Sequence, residues 1–182
     1  MRFSLFRFFV SPEFRRSVAA AGVVTLLVAC SPQYNWRELT LADGHVRAAF
    51  PARVQSESRT VRLGDVATEF TITVASVDDA TFAVGHARLP PEVARDPVLR
   101  NRLARVLLGS AYANLGAVAP PGLEAGAEPV VVRGEGARQG TWSLVKVWAT
   151  ADGLVQATAM GRDDNLPMPI AREFIDQLVV AP

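Results

Sequence analysis

Few residues of this chain are of a type that does chemistry. His45 and His86 are its only histidines and Cys30 its only cysteine. A zinc site needs several nitrogen, sulfur or oxygen ligands together, and no spaced cluster accompanies either histidine, so no metal is expected. His45 adjoins the turn-forming pair Asp43-Gly44 and reads as a rim residue. His86 shares strand parity with Phe82 and Val84 and reads as partly buried near a strand end. The glycines of Arg133-Gly134-Glu135-Gly136-Ala137-Arg138-Gln139-Gly140 could cradle a phosphate only ahead of a helix N-terminus. Strand leads to strand there, and the segment reads as a hairpin loop. Asp163-Asp164-Asn165 lacks the ligand pattern of a calcium loop and reads as a turn. Ser76, Ser110 and Ser143 have no Gly-x-Ser-x-Gly setting to expose a nucleophile. No catalytic set and no cofactor is expected.

Lys146 is the exception. It is the only lysine in a chain whose other basic residues are all Arg, and it sits mid-strand between Leu144 and Trp148 on the same face. A two-residue turn at Asp152-Gly153 sets Lys146 opposite Ala159 and Trp148 opposite Ala157, small partners beside large ones that leave space over that face. One reading is a cation over Trp148 or Trp142 in a ligand groove. The other is a lysine lying along apolar surface with its ammonium at the edge of the layer.

Cys30 closes the run Leu27-Val28-Ala29-Cys30, behind the uncharged stretch Val18–Val28 and a start carrying Arg2, Arg7, Arg15 and Arg16 against Glu13 alone. The stretch is too short to span a bilayer, which takes about 20 apolar residues, and fits a signal segment. The pattern resembles the lipobox of bacterial lipoproteins. That resemblance implies cleavage after Ala29 and lipid, palmitate included, on Cys30. It also implies anchorage in the cell envelope facing the periplasm, with Ser31 after the cysteine favouring the outer membrane. The expected organisation is a signal peptide over 1–29, a short linker over 30–35, and one globular domain over 36–182. Removing 1–29 takes away four Arg and one Glu, so the 19 basic and 18 acidic residues of the chain become 15 and 17. A net charge of −2 offers no basic patch for nucleic acid.

Five residues separate Cys30 from Trp36 and reach about 17 Å when extended, which holds the domain close to the bilayer. Tyr34 and Trp36 fall where aromatic residues meet headgroups, although packing serves Trp36 equally well. Three dipeptides predict two-residue hairpin turns. Asp43-Gly44 joins Trp36–Ala42 to His45–Phe50, Gly64-Asp65 joins Gln55–Leu63 to Val66–Ser76, and Asp152-Gly153 joins Thr141–Ala151 to Leu154–Met160. Val66, Phe70, Ile72 and Val74 share one face, with Glu69, Thr71 and Thr73 on the other. The partner strand, carrying Glu57, Arg59 and Arg62, reads as an edge. Ala80–Leu89 and Pro129–Arg133 are further strands, and 117–128 is a Pro/Gly/Ala-rich connection.

Asp96-Pro97 starts a helix with an acidic cap. Leu99, Leu103, Val106 and Leu107 form its apolar stripe, and Gly116 stops it. A second helix, Ile170–Val179, sets Ala171, Phe174, Ile175 and Leu178 on one stripe. Thr141–Ala151 determines the layering: Trp142, Leu144 and Trp148 point one way, Val145, Val147 and Ala149 the other. Both faces are apolar, so both must be covered. The expected class is α+β, a mostly antiparallel sheet with helices packed on both sides. The early hairpin closing with Ala49-Phe50-Pro51, the long hairpins, the mid-chain helix and the closing Arg172-Glu173-Phe174-Ile175-Asp176-Gln177-Leu178 resemble PsbP-like domains. That resemblance implies an α/β/α sandwich and, for many members, accessory or lipoprotein roles. Tyr34 to Glu38 also resembles the mature start of uncharacterised proteobacterial lipoproteins. The expected function is non-enzymatic: a membrane-anchored domain that binds a protein partner or envelope component. The alternative is a small-ligand or lipid carrier with its cavity near Lys146, Trp142 and Trp148.

Overall fold

A computed structural model describes residues 33–126 and 128–181. The expected signal peptide and the lipidation of Cys30 lie outside the described residues. Two antiparallel sheets and three helices make up the chain from Tyr34 onward, which forms one compact unit. The smaller sheet joins β1 (Arg37–Leu41), β2 (Val46–Phe50) and β9 (Val179–Val180) in the order β1-β2-β9. The larger runs β3-β4-β5-β8-β7-β6, made of β3 (Val54–Leu63), β4 (Val66–Val77), β5 (Ala80–Arg88), β6 (Val130–Arg133), β7 (Thr141–Ala149) and β8 (Gly153–Arg162). The helices are α1 (Pro91–Ala94), α2 (Pro97–Asn114) and α3 (Met168–Asp176). Among the described residues no helix is long and apolar enough to cross a membrane.

The two apolar faces of β7 do divide the core. Trp142 and Leu144, with Phe82 and Val84 of β5 and Val155, Ala157 and Ala159 of β8, meet Ala171, Phe174 and Ile175 of α3 and Val46, Ala48 and Phe50 of β2. On the opposite face Val145, Val147 and Leu154 meet Leu103, Ala104, Leu107 and Leu108 of α2. The architecture is therefore α+β with a helix on each side of the large sheet. One side also carries the small sheet, which pattern alone does not indicate.

Local signals operate as their chemistry requires. Asp96 Oδ1 accepts from the Val98 N–H at 2.9 Å and the Leu99 N–H at 3.1 Å, satisfying two donors that a bare helix start leaves open. Gly116, at φ +69°, takes the left-handed conformation that ends α2. The stripe needs one correction: α2 buries Leu103, Ala104, Leu107, Leu108, Ala111 and Tyr112, while Val106 is exposed. A pattern of paired positions buries a face centred between 104 and 108, which puts Val106 on the outside. The closing helix stops at Asp176, and Val179 pairs with Arg47 as part of β9 instead of continuing the helix.

The hairpins hold with different turns. Gly64-Asp65 closes a two-residue turn with Leu63 opposite Val66. At Asp43-Gly44 the expected register holds, with Leu41 opposite Val46 and Leu39 opposite Ala48. The ladder stops one pair early, and Ala42–Gly44 form a single 3₁₀ turn with positive φ at all three residues. Asp152-Gly153 is a correction. The turn takes four residues, Thr150 to Gly153, closed by the Thr150 N–H donating to the Gly153 carbonyl at 2.9 Å. The Thr150 hydroxyl also accepts from the Gly153 N–H at 3.1 Å. The ladder moves by two residues, so Lys146 lies opposite Ala157 and Trp148 opposite Val155. A shift of two keeps every side chain on its expected face.

β3 is an edge strand and almost wholly exposed. On β4 the faces separate as expected, but burial does not follow polarity. Thr73 and Ala75 are buried, whereas Val66, Phe70, Ile72 and Val74 are only half-buried. Thr73 is tolerated inside because its hydroxyl pairs with that of Ser56 at 2.8 Å.

Candidate functional site

Lys146 keeps the neighbour that its strand position implies. Its Nζ lies 5.1 Å from the centroid of the Trp148 ring, within reach of a cation–π attraction. Among the described residues it has no carboxylate within ion-pair distance. Trp142, on the same face, is 3 % exposed, and its Nε1–H has no hydrogen-bond partner among the described residues. The space expected over Ala157 and Ala159 is absent: both have no exposed surface and belong to the cluster that holds Phe174 and Phe82. Core side chains from α3 and β5 fill the room that the small residues leave. Lys146→Met is therefore expected to change stability by no more than about 1 kcal/mol, the size of a partly exposed cation–π contact. Thermal unfolding of the two proteins checks this.

A cleft of about 430 Å³ lies instead at the end of the large sheet where β5 finishes and β8 begins. The turn before β2 contributes Ala42 and His45, the end of β5 His86 and Arg88, α1 Ala94 with Arg95 directly after it, and the β7–β8 turn Thr150 to Gly153. Val180 of β9 closes one side. None of Lys146, Trp142 and Trp148 lines it.

Local sequence explains how these pieces meet. Pro90 and Pro91 follow Leu89, so the chain cannot continue the ladder and turns into α1. Gly153 must be glycine, because a Cβ there would collide with the Ala87 carbonyl oxygen. That close approach lets the four-residue turn lie against β5, where the Leu89 N–H donates to the Asp152 carbonyl at 3.2 Å. The carboxylate of Asp152 then stands 3.6 Å from His45 Nδ1.

Charges in the cleft are partly matched. Arg88 is paired with Asp43, and Asp152 stands beside His45. Arg95, on the rim, makes no ion pair among the described residues. His86 is half-buried, and burial pushes its pKa below the usual histidine value. Asp43 and Glu69 act in the opposite sense, while Arg88 adds to the lowering. His86 therefore offers a neutral imidazole near neutral pH, able to donate from one nitrogen and accept at the other. The one hydroxyl on the lining, that of Thr150, is held in its turn by both the N–H and the carbonyl of Gly153. Among the described residues no group of three or more His, Cys, Asp or Glu gathers as metal ligands. The arrangement can hold a ligand by charge, by imidazole hydrogen bonds and by apolar walls.

The lowered pKa of His86 carries a sign. The unfolded chain takes up the proton first as pH falls, so protonation favours unfolding. Stability should fall as pH drops through the ordinary histidine range, near 6.5, and stop falling below the depressed folded pKa. His86→Gln should flatten that slope, and urea midpoints measured between pH 7.5 and about 5 test it. An equal slope in the variant would assign it to other groups.

Sequence reasoning treated the two histidines one at a time, as a rim residue and a strand-end residue. Each description is right, and their meeting in one cleft was missed. The available signal was that His45 follows one turn and His86 ends a strand, but only the placement of the small sheet over the large one brings them together. No protein-family model, no curated protein and no solved structure matches this chain.

Proposed function

We propose that this protein is a lipid-anchored binding domain of the cell envelope, tethered through Cys30 and facing the periplasm, with the outer membrane favoured by Ser31. In this reading it is not an enzyme, and its fold is a variant of the PsbP-like α/β/α sandwich. Its job is to hold a partner or envelope component at the end of the domain away from the anchor.

The supporting observation is a polarity along the domain. Tyr34 and Trp36, the first aromatic residues after the linker, pack against Phe82 with ring centroids 6.3 and 6.4 Å away. His86 is four residues further along β5, roughly 13 Å at strand spacing. β1 makes the same journey, from Trp36 at one end to Ala42 on the cleft wall at the other. Two strands thus run from the N-terminal aromatic pair to the cleft. Trp36 is half-buried and stacks on Tyr34 at 6.2 Å, which supports its packing role. The carrier alternative keeps support in altered form, since about 430 Å³ suits a small molecule, in this cleft and not beside Lys146.

Site-directed crosslinking in native membranes tests the reading. With Cys30 acylated, Ala151→Cys supplies one free thiol at the cleft rim and Asp79→Cys one at the anchor end. Each is loaded with a benzophenone maleimide. The expected result is a discrete protein or ligand adduct from position 151 and lipid adducts from position 79. Lipid adducts from position 151 would show that the cleft faces the bilayer and would end the proposal.

A further inference from the structure

We infer that the cleft between His45, His86 and Arg95 takes a small organic anion: an acidic head group, carboxylate, sulfonate or phosphate, on an apolar body. The inference rests on the reading of this cleft as the binding end of the domain and adds the chemistry of what binds there.

Part of the charged lining is already committed to partners. Four of the lining side chains can carry positive charge, namely His45, His86, Arg88 and Arg95, and one, Asp152, is acidic. Arg88 is taken by Asp43 from outside the lining. His45 has the Asp152 carboxylate as its neighbour, 3.6 Å from Nδ1. Arg95 and His86 remain without an ion pair among the described residues. A guanidinium and an imidazole at one opening are donors in want of an acceptor. Arg fits the planar, two-oxygen edge of a carboxylate, sulfonate or phosphate.

The rest of the lining excludes a bare inorganic ion as the best occupant. Ala42, Pro91 and Val180 present apolar surface, with Ala94, Leu154 and Val155 almost closed behind them, and a fully hydrated ion leaves that surface unused while an apolar body covers it. Neutral ligands would in turn leave Arg95 with water alone. An occupant with both parts satisfies both kinds of wall. The acidic neighbours set the orientation: Asp152 stands beside His45, and Asp43, paired with Arg88, also acts on His86, so the anionic head belongs toward Arg95, with the neutral imidazole of His86 as a hydrogen-bond partner.

Two probes that differ only in charge test this by calorimetric titration of the full chain in nonionic micelles. They are naphthalene-2-sulfonate and its neutral analogue naphthalene-2-sulfonamide. Arg95→Gln removes the free cation, and Ala151→Trp fills the cleft from an exposed turn position. Sulfonate should bind about tenfold more tightly than sulfonamide, the scale of one charge-assisted hydrogen bond. Arg95→Gln should abolish most of that preference while leaving sulfonamide unaffected, and Ala151→Trp should abolish both. Equal binding of the two probes, indifferent to Arg95→Gln but lost in Ala151→Trp, would overturn the anion class and leave the cleft as a binding site. Binding of both probes unchanged by Ala151→Trp, or heat from neither, would overturn the cleft itself.

Discussion

Phe82→Ala should cost about 3–5 kcal/mol of folding stability, the range for truncating a buried phenylalanine. The side chain is wholly buried. Its ring meets Phe174 edge-on at 5.3 Å, and Phe174 lies 5.6 Å from Phe50. Tyr34 and Trp36 meet Phe82 from the other side. One residue of β5 therefore touches α3 and the N-terminal segment directly, and reaches the small sheet through Phe174. Truncation loses the transfer energy of the ring and several edge-to-face contacts, each worth about 0.5–1.5 kcal/mol beyond area. It also leaves a cavity that three separately anchored elements cannot collapse to fill. A domain of this size holds about 5–15 kcal/mol in all, so the loss is a large fraction. Urea unfolding should show a lower midpoint with little change in slope. Val118→Ala, at a position 85 % exposed, should stay within about 0.5 kcal/mol of the parent. If Phe82→Ala costs less than about 1 kcal/mol, the three elements do not share one core.

Cys30→Ala should remove lipid labelling completely. Metabolic labelling with an alkynyl palmitate should mark the parent protein, and the variant should accumulate as unlabelled precursor. The physical ground is that alanine offers no thiol to carry the lipid, and Cys30 is the only cysteine of the chain. A variant that still takes the label and fractionates with membranes would remove the anchor and, with it, the orientation proposed for the cleft. The cleft chemistry would survive that result, because its probes do not depend on where the protein is held.

What the amino-acid sequence determined by itself was local or periodic. Asp96-Pro97 and Gly116 bound a helix because their backbone preferences act within one turn. Gly64-Asp65 closes a tight hairpin for the same reason. The two apolar faces of β7 require two covered sides whatever covers them, since each face must leave water. The assignment of faces on β4 also follows from period two alone.

Tertiary structure decided everything that depends on which distant segments meet. Thr141–Ala149 accepts either of two registers that preserve faces. The choice fell to the Thr150–Gly153 bonds and to the absence of a Cβ at Gly153 beside Ala87. Val179 continues a helical stripe by spacing, yet it joins β2 because Arg47 offers it a free strand edge. Lys146 lost its cavity once Phe174 and Phe82 filled the space over Ala157 and Ala159. His45 and His86 share a cleft because β5 pairs with β8, Phe82 opposite Ala159, while the small sheet packs on the same face. Neither pairing nor packing is written in the neighbourhood of either histidine. Residues far apart in the chain meet only when burying the whole apolar surface outweighs the entropy of closing long loops. That balance belongs to the folded molecule as a whole and to no local segment.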